Sequence, residues 1–197
     1  MTDYYAYVDD DPVDATDPSG LCWVAVHFDY LSGVQFRGIG RSYGNAYHTF
    51  ITTQSNTPSD RMPPYAFEAI PSDKGFPGIG QGVLYSEIHG PIAPADQSNV
   101  LGVQGVYVRQ DNKPCSCYIA SFTRSALAIN ALQYHYVPTG PNSNSFTYTL
   151  LHHVGITSLD RHPFPGFGDL NLLGKYWTPG WYMDLLPSSL WDQLLGS

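Results

Sequence analysis

The sequence is poor in charge, and in positive charge above all. Only 13% of its 197 residues are charged, and nine Lys and Arg stand against 17 Asp and Glu, for a formal net charge of −8 at pH 7. Proteins that bind nucleic acids usually carry a basic face that neutralises phosphates. The basic residues here are scattered, with Arg37 and Arg41 the nearest to a cluster. The composition therefore disfavours a nucleic-acid partner.

Long apolar runs and a basic, apolar N-terminal segment are also missing. No stretch reaches 18 apolar residues, and residues 1–14 contain no basic residue and no apolar run. The sequence therefore predicts neither a membrane-spanning helix nor a signal peptide.

Cysteine is scarce and odd in number, with Cys22, Cys115 and Cys117. An odd count is a poor basis for a disulfide framework, and two cysteines separated by one residue are too close for an ordinary disulfide. The sequence has no second cysteine pair that would complete a zinc site. His89 lies in a predicted loop and has no partner at metal-ligand spacing. We therefore expect no metal site and no cofactor.

What is present is typical of a globular α+β domain, with 43% hydrophobic residues and many Gly and Pro for turns. Residues 22–30 are predicted as a strand or a short buried helix. Further strands are predicted over 46–53, 65–70, 83–88 and 103–109, and loops over 33–45, 54–64 and 71–82. Helices are predicted over 115–135, 143–154 and 188–195. We expect an antiparallel sheet packed with two main helices.

Residues 1–21 stand apart, since they contain six Asp and no basic residue and by composition form a solvated tail. Their sequence ends in a Pro-x4-Asp-Pro-x-Gly-Leu motif, made by Pro12, Asp17, Pro18, Gly20 and Leu21. This motif resembles the end of the core of Rhs (YD-repeat) proteins. The resemblance implies that the chain cuts itself after Leu21 by an aspartyl-protease-like reaction. Asp17 would share that reaction with a second carboxylate.

The same resemblance divides the chain into the end of an Rhs core, 1–21, and a toxin domain, 22–197. It implies an antibacterial effector that is secreted or injected into a target cell, as in type VI secretion. The implied partners are the Rhs core shell, the secretion machinery and a cognate immunity protein. Because the segment 1–21 holds six of the acidic groups, the remaining residues carry a net charge of −2. A nuclease is therefore less strongly disfavoured than the charge of the whole chain indicates.

A second motif lies further along the chain. His48 opens the strand His-Thr-Phe-Ile, and Asn142-Ser143-Asn144-Ser145-Phe146 opens the helix predicted from Ser143. A nucleophile at a helix start gains from the helix dipole and from free N–H groups that hold an oxyanion. The order resembles the circularly permuted papain-like hydrolases, the NlpC-type and lecithin–retinol-acyltransferase-like group. That group has a His strand first and an Asn-Cys-x-x-Phe helix later.

The papain-like resemblance implies that Ser143 attacks an amide or ester bond, that His48 takes its proton and that Glu68 orients His48. Asn142 precedes the nucleophile, as in the family. Serine is a weaker nucleophile than cysteine. Three interpretations of Ser143 therefore stay open: a serine nucleophile, an engineered replacement of the family's Cys, or part of a helix cap with Asn142. Cys117, near a helix start, is a rival nucleophile.

Two other classes of function stay open. The Trp-rich residues 177–195 indicate a toxin that damages membranes or binds a target without catalysis. An ADP-ribosyltransferase would need an early Arg or His, for which Arg37 or His48 would serve, and a late Glu. No Glu follows Glu87, so this class ranks lower.

Overall fold

The computed structural model describes residues 22–38, 41–55, 63–73, 81–103, 105–111, 113–137, 140–157, 183–187 and 190. The predictions made for residues 1–21 lie outside these ranges. So does all but one residue of the helix predicted over 188–195.

Five antiparallel strands form one sheet with the order β4-β3-β2-β1-β5. The strands are β1 (Cys22–Gly38), β2 (Arg41–Ser55), β3 (Tyr65–Asp73), β4 (Gln81–His89) and β5 (Gly105–Asp111). Neighbours in sequence are neighbours in space from β1 to β4, and β5 pairs with the outer edge of β1.

Three helices accompany the sheet: α1 (Pro94–Leu101), α2 (Cys115–Leu132) and α3 (Ser143–His153). The expected α+β architecture, an antiparallel sheet with two main helices, is confirmed. No helix in the described residues is both long enough and apolar enough to cross a membrane.

The main core lies between the sheet and the helices α2 and α3. Side chains alternate between the two faces of a strand, and the face toward these helices carries most of the apolar core, together with the buried Thr49 and Ser86, which bond to α3 and α2. Its largest fully buried side chains are Phe67, Phe122, Phe146, Ile51, Leu84, Ile129, Leu150, Leu151, Leu185 and Val24. The Phe67 ring of β3 meets the Phe122 ring of α2 edge to face, with centroids 5.3 Å apart.

The opposite face of the sheet is mixed in character. A small apolar cluster joins Phe50, Ala66 and Ile92, with Val100 and Val103 packed against it. Polar side chains of β2, β3 and β4 continue the same face, and the candidate site lies among them.

Several local predictions are corrected by the structure. Of the two alternatives predicted for residues 22–30, the strand is present. β1 and β2 extend through the Gly-rich segment predicted as a loop, so that Gln35 pairs with Asn45. The predicted loop over 71–82 is shortened because β3 and β4 enter it from both ends. Helix α1 was not predicted, because eight residues with few apolar positions give no helical periodicity.

The prediction against a disulfide is wrong. Cys22 at the start of β1 is bonded to Cys115 at the start of α2, 93 residues later, while Cys117 is free and exposed. An odd number of cysteines still allows one pair, and the spacing of Cys115 and Cys117 carried no information about a distant partner. The bond ties the first described residue of the chain to the main core.

Candidate active site

The first turn of α3 lies at the edge of β2 that β3 leaves free. Over the described residues, β2 and β3 pair through only three residues of each strand, ending at Ile51. The Asn144 side-chain oxygen accepts hydrogen bonds from the Thr49 N–H at 3.1 Å and hydroxyl at 3.0 Å. The Thr147 hydroxyl donates to the Thr49 carbonyl at 3.1 Å. α3 therefore begins beside β2, at the residue that follows His48.

Asn142 and Ser145 cap this helix reciprocally. The Asn142 side-chain oxygen accepts hydrogen bonds from the N–H groups of Asn144 and Ser145, and the Ser145 hydroxyl accepts one from the Asn142 N–H. The Phe146 N–H donates to the Asn142 carbonyl. Within the described chain, the Ser143 N–H is the first-turn donor left without an acceptor, and such a donor can stabilise an oxyanion.

His48 of β2 and Glu68 of β3 form a hydrogen-bonded pair on the face away from α2 and α3. His48 Nε2 lies 3.0 Å from Glu68 Oε2, and the two side chains are 15% and 26% exposed. Because the carboxylate accepts from Nε2–H, the neutral ring carries its lone pair on Nδ1. No partner of Nδ1 lies among the described residues. The pair therefore has the arrangement of a carboxylate-oriented general base.

Two further groups surround Glu68. His89 Nε2 lies 2.6 Å from Glu68 Oε1 and 3.3 Å from Glu87 Oε2. The hydrogen bond from His48 is the main cause that lowers the pKa of Glu68, aided by His89 and opposed by burial. The expectation that His89 lies in a loop without partners is wrong, since it ends β4 between two carboxylates.

Ser143 is the first residue of α3 and is 4% exposed. Alternation along β2 directs the His48 and Thr49 side chains to opposite faces of the sheet, and α3 bonds to Thr49. Across the described ranges, no hydrogen bond joins Ser143 to His48. The structure thus brings His48 and Glu68 together. Ser143 begins the helix that bonds to Thr49 on the other face of the sheet, and it is not hydrogen-bonded to His48.

A cleft of about 700 Å³ opens on the face that carries His48 and Glu68. Phe50 and Ile92 contribute apolar lining, and Asp29, Glu68 and Asp96 contribute acidic lining. The volume is within the usual range for small-molecule sites. Glu68 therefore connects the candidate base to a concave surface.

A second serine–histidine–carboxylate group lies between α2, α3 and the segment 183–187. Ser125 Oγ is 3.3 Å from His153 Nδ1, and His153 Nε2 is 3.9 Å from Asp184 Oδ1. Ser125 is in the middle of α2, where backbone N–H groups bond within the helix and none is left for an oxyanion. This group, which sequence patterns gave no reason to suspect, is largely buried, since Ser125 is 4% and His153 is 6% exposed.

His27 was also missed, because a histidine inside an apolar strand has no distinguishing sequence signal. It is 4% exposed, contacts the Val103 carbonyl through Nδ1 at 3.0 Å and the Thr52 hydroxyl through Nε2 at 2.8 Å, and stacks on Phe50. Burial lowers its pKa. The ring is a neutral structural element beneath the cleft.

Comparison with protein-family models, with curated proteins and with solved structures gives no match. The chemistry of the site therefore has to be argued from its own residues and geometry.

Proposed function

We propose that residues 22–197 form the toxin domain of an Rhs-type antibacterial effector, and that this domain is a papain-like hydrolase or acyltransferase acting on an amide or ester bond. His48 is the general base, Glu68 orients it, and Ser143 at the start of α3 is the nucleophile. The Ser143 N–H contributes to the oxyanion site. Asn142 holds the helix start in place.

One observation supports this proposal above the others: Glu68 is hydrogen-bonded to His48, and the residue that follows His48 is hydrogen-bonded to the first turn of α3. The Glu68 carboxylate occupies Nε2 of the ring and leaves Nδ1 for a proton from the nucleophile. In the reaction, Ser143 Oγ adds to the carbonyl carbon while its proton moves to His48, and the carbonyl oxygen becomes the oxyanion. His48 then returns the proton to the leaving amine or alcohol, and water or another acceptor takes the acyl group from Ser143.

The disulfide supports a toxin that works outside the cytoplasm. Disulfides form and persist in oxidising compartments and are rare in the cytosol, and this one joins Cys22 to Cys115. Cys22 follows the proposed cut after Leu21, so the bond would hold the new N-terminus of the released domain. We therefore place the action in the periplasm of the target cell, where cell-wall amide bonds are accessible.

Growth of a bacterium that produces the chain in its periplasm or in its cytoplasm tests the proposal. Periplasmic wild type should stop growth, while His48→Ala and Ser143→Ala should restore it. Ser143→Cys should retain or raise toxicity because thiolate is the stronger nucleophile. Ser125→Ala and His135→Ala serve as matched controls outside the site and should remain toxic. Undiminished toxicity of both site variants at equal protein levels would refute the enzyme assignment.

A further inference from the structure

The cluster around His89 combines imidazole and carboxylate donors on one face of adjacent strands. Glu68 of β3 and Glu87 of β4 are directly opposite one another in the sheet. His89 is two residues beyond Glu87, so its side chain projects from the same face. Like charges directly opposite in a sheet destabilise it. Two carboxylates in this register therefore favour a cation between them.

The spacing of the three donor atoms matches that of ligands to one metal ion. Oxygen and nitrogen ligands of a tetrahedral Zn²⁺ at about 2.1 Å lie about 3.4 Å apart. His89 Nε2 is 2.6 Å from Glu68 Oε1 and 3.3 Å from Glu87 Oε2, and all three donor atoms lie within 4.8 Å of one another. Small side-chain rotations are sufficient to converge them on one point.

The site is also accessible. The His89 side chain is 46% exposed, and Glu68 and His89 both line the cleft. An ion can therefore enter from solvent and keep water or a substrate atom as its fourth ligand.

We propose that Glu68, Glu87 and His89 bind a divalent transition-metal ion, with Zn²⁺ the best match to one imidazole and two carboxylates. The ion shares Glu68 with His48: Oε1 ligates the metal and Oε2 keeps its hydrogen bond to the ring. A bound cation draws charge from the carboxylate and weakens it as the acceptor for His48. Metal occupancy therefore weakens the hydrogen bond that orients His48 and inhibits the activity proposed above.

Zinc binding is measured by titration calorimetry with zinc chloride on the full chain without a polyhistidine tag. One ion per chain should bind to wild type. Loss of an outer-shell partner alone weakens metal binding by about 10- to 100-fold, so His89→Ala and Glu87→Gln, which each remove a ligand, should weaken it at least about 100-fold. The matched controls, His135→Ala and Asp73→Asn, replace an exposed histidine and carboxylate elsewhere and should bind as wild type does. Thermal unfolding of each variant verifies that it is folded.

The coupling to His48 has its own readout, the imidazole proton resonances of His48 in NMR spectra. They should shift when zinc binds to wild type and stay in place in Glu87→Gln. Binding that is absent from wild type, or equal in all variants, overturns the metal site. Binding without a shift at His48 overturns the coupling. Only the inhibition of activity rests on the proposed function, so both binding results stand whatever the toxicity assay gives.

Discussion

At the scale of single residues, the hydrogen bond between His48 and Glu68 is the central feature of the candidate site. The 3.0 Å contact fixes which ring nitrogen carries the proton and which keeps its lone pair. Taken separately, the sequence around each residue also fits a strand position without a catalytic role, an exposed Glu and a buried His. The structure joins them instead across β2 and β3, where the two strands no longer pair.

Two variants, Glu68→Gln and Glu68→Ala, separate the effect of the hydrogen bond that orients His48 from the effect of the negative charge on Glu68. Gln keeps an acceptor for His48 Nε2–H and should lower kcat/KM only moderately. Ala removes the acceptor and should lower it further, up to the about 10²- to 10⁴-fold that the general base His48 itself contributes. Hydrolysis of p-nitrophenyl acetate by the purified chain measures both. Equal rates for wild type and Glu68→Ala would contradict the orienting role.

The buried histidines make stability depend on pH. Burial lowers the pKa of His27 and of His153 below the ordinary value of 6.5, although Asp184 opposes the shift at His153. Unfolded histidine therefore binds protons more readily than the folded form. The free energy of unfolding should be greatest above pH 6.5 and fall as the pH drops below it. The lowered pKa of Glu68 adds a further loss below its usual 4.5.

Urea unfolding at pH 7.5 and pH 5.5 measures this dependence. His27→Gln keeps a donor and an acceptor but does not titrate, so its unfolding midpoint should fall less on acidification than that of wild type. His135→Gln is the matched control with an exposed histidine and should follow wild type. An unchanged pH dependence in His27→Gln would show that His27 is not the source.

At the scale of elements, α3 is positioned by polar side chains as well as by its apolar face. Asn144 and Thr147 form with the Thr49 backbone the hydrogen bonds that a neighbouring strand would otherwise form. Asn142 caps the helix. Phe146 and Leu150 on the same helix are fully buried in the main core. The helix start is therefore held in a defined position at the edge of β2.

Asn144→Ala tests this positioning. It leaves the buried Thr49 N–H without its acceptor, which should cost about 1–3 kcal/mol of unfolding free energy, and it should reduce activity by releasing α3 from β2. Asn142→Ala removes a cap and should cost about 1 kcal/mol. Urea unfolding measures both, with Asn130→Ala as a comparison, since Asn130 binds Ser86 in β4 away from the site. An Asn144→Ala variant as stable as wild type would contradict the account.

The sequence predicted these elements well where the hydrophobic period was long. The helix over 115–132 and the strand around Phe67 follow from hydrophobic spacing. The helix over 143–153 and the strand around Ile51 follow from turn signals and from β-branched and aromatic residues. The apolar run around Val24 did not distinguish a strand from a helix. Helix α1 and the extensions of β1 and β2 through Gly44 and Asn45 do not follow from the sequence, because neighbouring strands and the sheet override weak local preference. The cluster of Glu68, Glu87 and His89 is likewise not apparent in the sequence, because its members come together only through the register of β3 and β4.

At the scale of the whole molecule, the Cys22–Cys115 bond joins the start of β1 to the start of α2. A closed loop of this size, 93 residues, should contribute about 4–5 kcal/mol on the chain-entropy account. That is a large share of the stability of a domain of this size.

Reduction with dithiothreitol, or the double change Cys22→Ser and Cys115→Ser, should therefore lower the unfolding midpoint strongly. Cys117→Ser, which alters the free exposed cysteine, should leave it unchanged. Guanidinium unfolding under oxidising and under reducing conditions measures the unfolding midpoint of each protein. The same midpoint in both conditions would contradict the disulfide and weaken the argument for the periplasm.

The central claim is that Ser143 is a nucleophile activated by His48. Labelling of the full chain with a fluorophosphonate, followed by peptide mass spectrometry, tests it most directly, because only an activated serine reacts with this probe. We expect an adduct on Ser143 that persists in Ser125→Ala and is lost in His48→Ala. A Ser143 that stays unlabelled in folded wild-type protein, or that is labelled equally in His48→Ala, would contradict it.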